Sequence, residues 1–299
     1  MNPIECHGLT KRYGSTLALD NLTLSLPAGE PIALIGPNGA GKTTLLSVLC
    51  GFIRPSNGEV SILGERPGSA GLNGRLSALP QDALLDPRLS VGRQLRFFAR
   101  LQGMGGASAK KEVERVLQLV DLLDSMHTKP ADLSHGMRKR IAIAQALLGS
   151  PELVLLDEPT AGIDPPNAKM IRDLVREQSS QTTFIVSSHN LDELERLCGS
   201  VVYLEKGRLV SVGPLTDETD DEYITLRMGT VIESEFINSA KLLPGVSDVS
   251  KTTGGDFLIK THDDMATSAA LMQLLMEKNW RYRQLSRGKS LEERLYGDT

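Results

Sequence analysis

Apolar and polar positions alternate near the start of the chain. Leu22, Leu24 and Leu26 fall on every second residue with polar residues between them, the period of a half-buried strand. The turn residues Pro27-Ala28-Gly29-Glu30 follow, and the next run, Pro31-Ile32-Ala33-Leu34-Ile35, is apolar throughout. An unbroken apolar run of this kind suits a strand buried on both faces of a parallel sheet. The pattern predicts a strand over 31–35, a helix from 42 to about 50 and a short strand over 58–63. From about 90 to 150 the period lengthens. Val113, Val116, Leu117 and Val120 lie at i, i+3, i+4 and i+7, one face of an amphipathic helix. Ile141, Ala144, Gln145 and Leu148 repeat that spacing on a later helix. Buried-type strands over 153–156 and 183–186 flank a helix over 167–177. Strands alternating with helices predict a mostly parallel α/β sheet. Lys206-Gly207, between strands over 201–204 and 208–212, reads as a hairpin turn.

The pattern changes at Gly213-Pro214, just before the acidic run Asp217-Glu218-Thr219-Asp220-Asp221-Glu222. We place a domain boundary there. It gives a first domain over 1–215, with a helical subdomain over about 85–150, and a second over 216–299. The acidic run reads as a solvated linker. The second domain reads strand (223–228), helix (231–243), two strands (246–252, 256–260), helix (264–278), strand (281–286) and short helix (290–296). That βαββαβ order predicts a small ferredoxin-like α+β module. Ser290 and Glu293 have the spacing of a capping box.

Composition narrows the function classes. At 40% apolar and 23% charged residues the chain is globular. A net charge of −4 argues against coating a nucleic-acid polymer through bulk charge. Cys6, Cys50 and Cys198 are too few and too widely spaced for a disulfide framework or a cysteine zinc site. The five histidines show no pair at ligand spacing. No apolar run reaches the roughly 20 residues that cross a bilayer, and the N-terminus lacks a secretory signal. The expectation is a protein that is soluble or meets a membrane only through a partner.

Gly36-Pro37-Asn38-Gly39-Ala40-Gly41-Lys42-Thr43, followed by Thr44, fits G-x-x-x-x-G-K-[ST] between a predicted strand and a predicted helix. Glycines let backbone N–H groups curl around phosphate oxygens, and the helix N-terminus adds partial positive charge. Lys42 would reach the β- and γ-phosphates and Thr43 would bind Mg²⁺. Leu153-Val154-Leu155-Leu156-Asp157-Glu158 ends an apolar strand in two acids, one placed to hold the metal and the next to activate a water.

With these in place the chain resembles an ABC-type ATPase, the nucleotide-binding subunit of an ABC transporter. Leu133-Ser134-His135-Gly136-Met137 resembles the family signature, Gln81 in Leu79-Pro80-Gln81-Asp82 the Q-loop, Ala161-Gly162-Ile163-Asp164 the D-loop, and His189 in Ser187-Ser188-His189 the switch histidine. Tyr13 in Lys11-Arg12-Tyr13-Gly14 matches the adenine-stacking aromatic. His135 and Met137 depart from the commonest signature and resemble variants of type-2 exporters.

The resemblance implies a P-loop ABC ATPase core with an antiparallel β subdomain, a helical subdomain and a C-terminal α+β module. It implies ATP and Mg²⁺ as ligands, with Thr43, Gln81 and Asp157 at the metal. Glu158 would be the general base, with His189, Gln81 and Lys42 completing the catalytic set. Tyr13, residues 36–44, Ser134, Gly136 and Asp164 would contact nucleotide. Ser134 and Gly136 would do so across a head-to-tail dimer, homodimeric or with a second ATPase subunit, in which Asp164 couples the two sites. Separate transmembrane permease subunits would be the membrane partner, docking near 82–104, and the chain would lie peripherally at the cytoplasmic face of the cell membrane. Export is favoured over import, because the C-terminal ending resembles type-2 exporter tails. We read Phe97 and Phe98 as packing residues, and Arg281, Arg283, Arg287 and Lys289 as a solvated face. The competing class is a soluble ABC ATPase acting on ribosomes, DNA or metal-cluster assembly. The tandem cassettes and long coiled coils of such proteins do not appear in this sequence.

Overall fold

Ile32, Ala33, Leu34 and Ile35 are each 2% exposed or less, so the apolar run is covered on both faces and takes an interior place in its sheet. A computed structural model describes residues 2–215, 222–229, 231–252 and 254–296 of the chain. The acidic run read as a linker lies outside these residues except for Glu222. The described residues cluster into two compact units, Met1–Gly213 and Pro214–Thr299.

In the first unit a six-stranded sheet runs in the order Leu76–Leu79, Leu153–Asp157, Thr183–Ser187, Ile32–Ile35, Ser200–Glu205, Arg208–Pro214. Its first five strands pair in parallel, which points their C-terminal ends to one edge. The sixth joins through Lys206-Gly207, where both residues take positive φ (48° and 80°), the geometry of a tight hairpin turn. A separate antiparallel sheet places Ile4–Tyr13 between Thr16–Leu26 and Asn57–Ile62. Leu22, Leu24 and Leu26 pack from it into one core with Leu34, Leu45, Leu155 and Val202. The parallel sheet, the antiparallel sheet and the intervening helices give the α/β P-loop architecture expected from the sequence.

Helices Val91–Leu101, Gly106–Leu119 and His135–Ala146 form the helical segment. Val113, Val116, Leu117 and Val120 are all buried, as their spacing requires. The third helix ends at Ala146, short of Leu148. Gly149 and Ser150 at φ 79° and 52° turn the chain into the next strand. Phe98 is half-buried, but Phe97 is 55% exposed, so the reading of both as packing residues is corrected for Phe97.

In the second unit the strand order is Val246–Lys251, Phe257–Thr261, Tyr223–Met228, Tyr282–Arg287, every neighbour antiparallel. The first and second strands in sequence are thus separated by the third, the split βαβ arrangement of a ferredoxin-like module. Helices Glu233–Ala240 and Asp264–Glu277 belong to this unit, the former shorter than its predicted span. Phe236 is fully buried, with ring centroids 4.3 Å from Phe257 and 5.7 Å from Trp280. Ser290 Oγ accepts from the Glu293 amide at 3.2 Å, the first half of the capping box. Of the basic residues at this end, Arg287 pairs with Asp264 and Lys289 lies over the Tyr223 ring.

Truncating Phe236 to Ala removes the ring that both neighbours pack against. It is expected to cost about 3–5 kcal/mol, seen as faster hydrogen exchange throughout the second unit's sheet. Exchange matching the wild type would contradict the assignment of Phe236 as the centre of that core.

Candidate active site

Strand Ile32–Ile35 delivers the chain to a loop over 36–41, and helix Lys42–Leu49 leaves it. Gly36 and Gly41 sit at φ 152° and 104°. A Cβ on Gly36 would lie 2.2 Å from the Leu204 carbonyl oxygen, and one on Gly41 would lie 2.7 Å from that of Ala18. Only glycine fits either position. Gly41 caps the helix without any side chain, which leaves the first-turn N–H groups free for an anion. Lys42 Nζ donates to the carbonyls of Gly36 at 2.5 Å and Pro37 at 3.3 Å, holding the ammonium over the loop. The loop opens on a cleft of about 280 Å³. Its walls include Thr16, Leu17 and Ala18, residues 38–44, Gln81, Asp157 and Glu158.

The two acids reach the cleft because strand Leu153–Asp157 pairs directly with Thr183–Ser187, which in turn pairs with Ile32–Ile35 in the same parallel sheet. Asp157 is buried at 8% exposure. Its Oδ2 accepts from Thr43 Oγ1 at 3.4 Å and its Oδ1 from Ser187 Oγ at 2.5 Å. Glu158 turns out of the strand at φ 49°, a left-handed conformation that costs a non-glycine residue roughly 1–3 kcal/mol. Its amide compensates by donating to Ser187 O at 3.2 Å and Ser187 Oγ at 3.0 Å. His189 Nδ1 lies 2.9 Å from Glu158 Oε2. A carboxylate aimed into a phosphate cleft and steadied by an imidazole is suited to deprotonating an attacking water.

A second cluster forms on other elements. Ser134 caps helix His135–Ala146, its Oγ accepting from the Met137 amide at 3.2 Å. Asn167 Nδ2 donates to Asp164 Oδ1, and a Cβ on buried Gly136 would sit 2.6 Å from that same nitrogen. A Cβ on Gly162 would lie 3.6 Å from His135 Nε2. The signature segment and the loop before helix Pro165–Gln178 therefore pack together. Ser134, Gly136 and Asp164 are not among the residues that line the phosphate cleft. Tyr13 does not line it either. It ends its strand half-exposed, with the Lys11 ammonium 5.0 Å from the ring centroid.

Three further contacts escaped the sequence reading. Lys139, on the signature helix, donates from Nζ to the Gln81 carbonyl at 3.1 Å. Burial lowers the Lys139 pKa, while the nearby carboxylates of Asp82, Glu158 and Asp157 oppose that shift. Glu193 accepts from Thr160 Oγ1 at 2.7 Å and from Arg172 at 3.0 Å, tying the loop after Glu158 to the helix after His189. Ser187 bridges both acids. The signal for Ser187 was present only as a neighbour of His189, and the other contacts join positions far apart in sequence.

Fold and site together define a P-loop ATPase that carries, on one chain, a phosphate cleft and a separate helix-capped cradle. The chain belongs to the ABC transporter family, as an ATP-binding, ATP-hydrolysing subunit. The family profile, described as ABC transporter, matches residues 19–161. A Nod factor export ATP-binding protein I of Burkholderia orbicola is 36% identical over 71% of this chain and 70% of its own length. A linearmycin resistance ATP-binding protein of Bacillus subtilis is 32% identical over 83% of this chain and 81% of its own, a span that reaches into the second unit. Among solved structures, an ATP-binding subunit of an ABC transporter superposes with TM-score 0.65 at 30% identity, covering 71% of this chain and 90% of that one. A dimeric ATP-binding cassette in a post-hydrolysis state with ADP and Pi superposes with TM-score 0.65 at 25% identity, covering 72% and 99%.

Replacing Lys42 with Ala removes the only side-chain cation among the described residues that line the cleft. ATP affinity is expected to fall by about tenfold or more, since charge-assisted contacts to phosphate are lost. Equilibrium dialysis with labelled ATP checks it, and unchanged binding would contradict the phosphate assignment.

Proposed function

We propose that this chain binds Mg-ATP in the cleft over 36–44 and hydrolyses it when a second ATPase subunit closes over it head to tail. The observation that carries this reading is the separation of the two clusters. Ser134 and Gly136 sit at a helix N-terminus able to hold an anion, yet they do not line the chain's own phosphate cleft. A cradle of that kind is useful only to a γ-phosphate brought by a partner, and the dimeric relative supports this reading. Asp164, packed beside the cradle through Asn167, would then lie near the shared boundary and couple the two sites.

Within the cleft, the loop amides and Lys42 bind the phosphates, with Lys42 exchanging its carbonyl contacts for phosphate oxygens. Glu158 takes a proton from the attacking water, and His189 steadies Glu158 and contacts the γ-phosphate. Gln81 also lines the cleft and would sit near the metal and the water. Thr43 Oγ1 and Asp157 Oδ2 are hard oxygen donors facing each other, and the other Asp157 oxygen is occupied by Ser187. That donor set fits a small dication which keeps water and phosphate ligands. When bound, Mg²⁺ would neutralise charge on the β- and γ-phosphate oxygens. Tyr13 would reach adenine from the exposed strand end.

Among the described residues no helix is long and apolar enough to cross a membrane. The work of such an ATPase would therefore pass to separate transmembrane subunits, with this chain peripheral at the cytoplasmic face. Exposed Phe97, with Arg93 and Arg100 on the same helix, supports docking in that neighbourhood. The names of the two curated relatives, one an export protein and one a resistance protein, support export. Residues 216–299 would form an accessory domain, and the similarity to the resistance protein extends into the second unit.

Glu158→Gln keeps the side chain's size and removes its basicity. Turnover is expected to fall at least about a hundredfold while ATP still binds, so closed dimers accumulate on size-exclusion chromatography with Mg-ATP. Hydrolysis at the wild-type rate would refute Glu158 as the base.

A further inference from the structure

Neither acid of the site is held by its own strand alone. Both lean on Ser187, the last residue of strand Thr183–Ser187, which is 0% exposed. Its hydroxyl carries one proton. An ionised carboxylate only accepts hydrogen bonds, so the 2.5 Å contact to Asp157 Oδ1 uses that proton. A backbone amide only donates, so the 3.0 Å contact from Glu158 N falls on a hydroxyl lone pair. The direction of both bonds is therefore fixed. Strand pairing puts them in place, because Asp157 and Ser187 are direct partners in the parallel ladder.

The two bonds have different consequences. Asp157, with Oδ1 engaged, turns Oδ2 towards Thr43 Oγ1. Glu158 has its amide fixed in the left-handed conformation, while His189, two residues beyond Ser187, fixes its carboxylate. We propose that Ser187 is a positioning residue for hydrolysis: its hydroxyl aims Asp157 Oδ2 at the metal position and sets the backbone from which Glu158 reaches the attacking water. This deepens the assignment of Asp157 and Glu158 made above and rests on it.

The test compares the full chain with its Ser187→Ala, Ser187→Thr and Ser187→Cys variants. Affinity for a fluorescent ATP analogue is measured by titration in EDTA and again in Mg²⁺, alongside steady-state hydrolysis. Ser187→Ala is expected to bind within about twofold of wild type in EDTA. It is expected to lose about tenfold of the affinity that Mg²⁺ adds, and to lower kcat about tenfold with KM nearly unchanged, the scale on which partners of metal ligands act. Ser187→Thr keeps the hydroxyl and is expected to recover much of the Mg²⁺ gain. Ser187→Cys keeps the volume, donates weakly and is expected to follow Ala, so it carries the test if Ala fails to fold. A Mg²⁺ gain and kcat equal to wild type in both Ala and Cys would overturn the proposal. Equal losses in EDTA and in Mg²⁺ would overturn it too, since they mark general distortion. Glu158→Gln, run in parallel, separates the two levels. Normal turnover there removes the base assignment, while the Mg²⁺ titration still tests the Asp157 arm.

Discussion

Parallel pairing between Leu153–Asp157 and Thr183–Ser187 sets Asp157 beside Ser187 at the C-terminal edge of the sheet, where strand Ile32–Ile35 also ends. Three separate stretches of sequence therefore meet at one edge: the phosphate loop, the two acids, and the Ser187-to-His189 turn. A shift of one residue in that register would move Asp157 to the opposite face of its strand and take Glu158 out of reach of the cleft. The apolar strands are packed on both faces, so such a slip would set each side chain in a space shaped for its neighbour, and close packing of the core thereby helps hold polar groups in place several residues away.

Open α/β sheets collect ligands outside the carboxyl ends of their strands, because helix N-termini and loop amides converge there. This chain has two helix N-termini suited to an anion, the first of them at that edge. One helix N-terminus, capped only by Gly41, presents bare amides to phosphate inside the cleft. The other, capped by Ser134, packs against the 162–167 segment and away from the cleft. Lys139 links the helix of the second cradle to the backbone of Gln81 in the first cleft. The two proposed anion sites of one subunit are thus joined by a hydrogen bond, and in the proposed dimer they would serve different nucleotides.

The phosphate loop was legible in the sequence because its chemistry is local. Glycines, Lys42 and Thr43 act within one turn of strand and helix, and their spacing alone encodes the cradle. The buried strands and the βαββαβ order of the second unit were legible for a similar reason, since period and turn residues carry them. The bridge from Ser187 to Asp157 spans 30 positions, and the Lys139 contact to Gln81 spans 58. Both depend on strand order and register, which no local pattern specifies. The end of the signature helix at Ala146 was missed because the apolar spacing continues past it, while left-handed residues at 149 and 150 end it. Phe97 was misjudged because an aromatic residue in a helix usually marks the packed face, and here it stands on the open one.

The central claim is that each ATP is enclosed by the cleft of one subunit and the cradle of another. Mixing two inactive variants tests it most directly. Lys42→Ala lacks a working cleft and Ser134→Arg lacks a working cradle, so each alone is expected to hydrolyse ATP at background. In a one-to-one mixture, half of the dimers pair one of each and contain one site built from two intact halves. With random two-fold pairing, activity is expected to return to about a quarter of wild type. A mixture no more active than the sum of its parents, with dimers shown to exchange, would contradict the account.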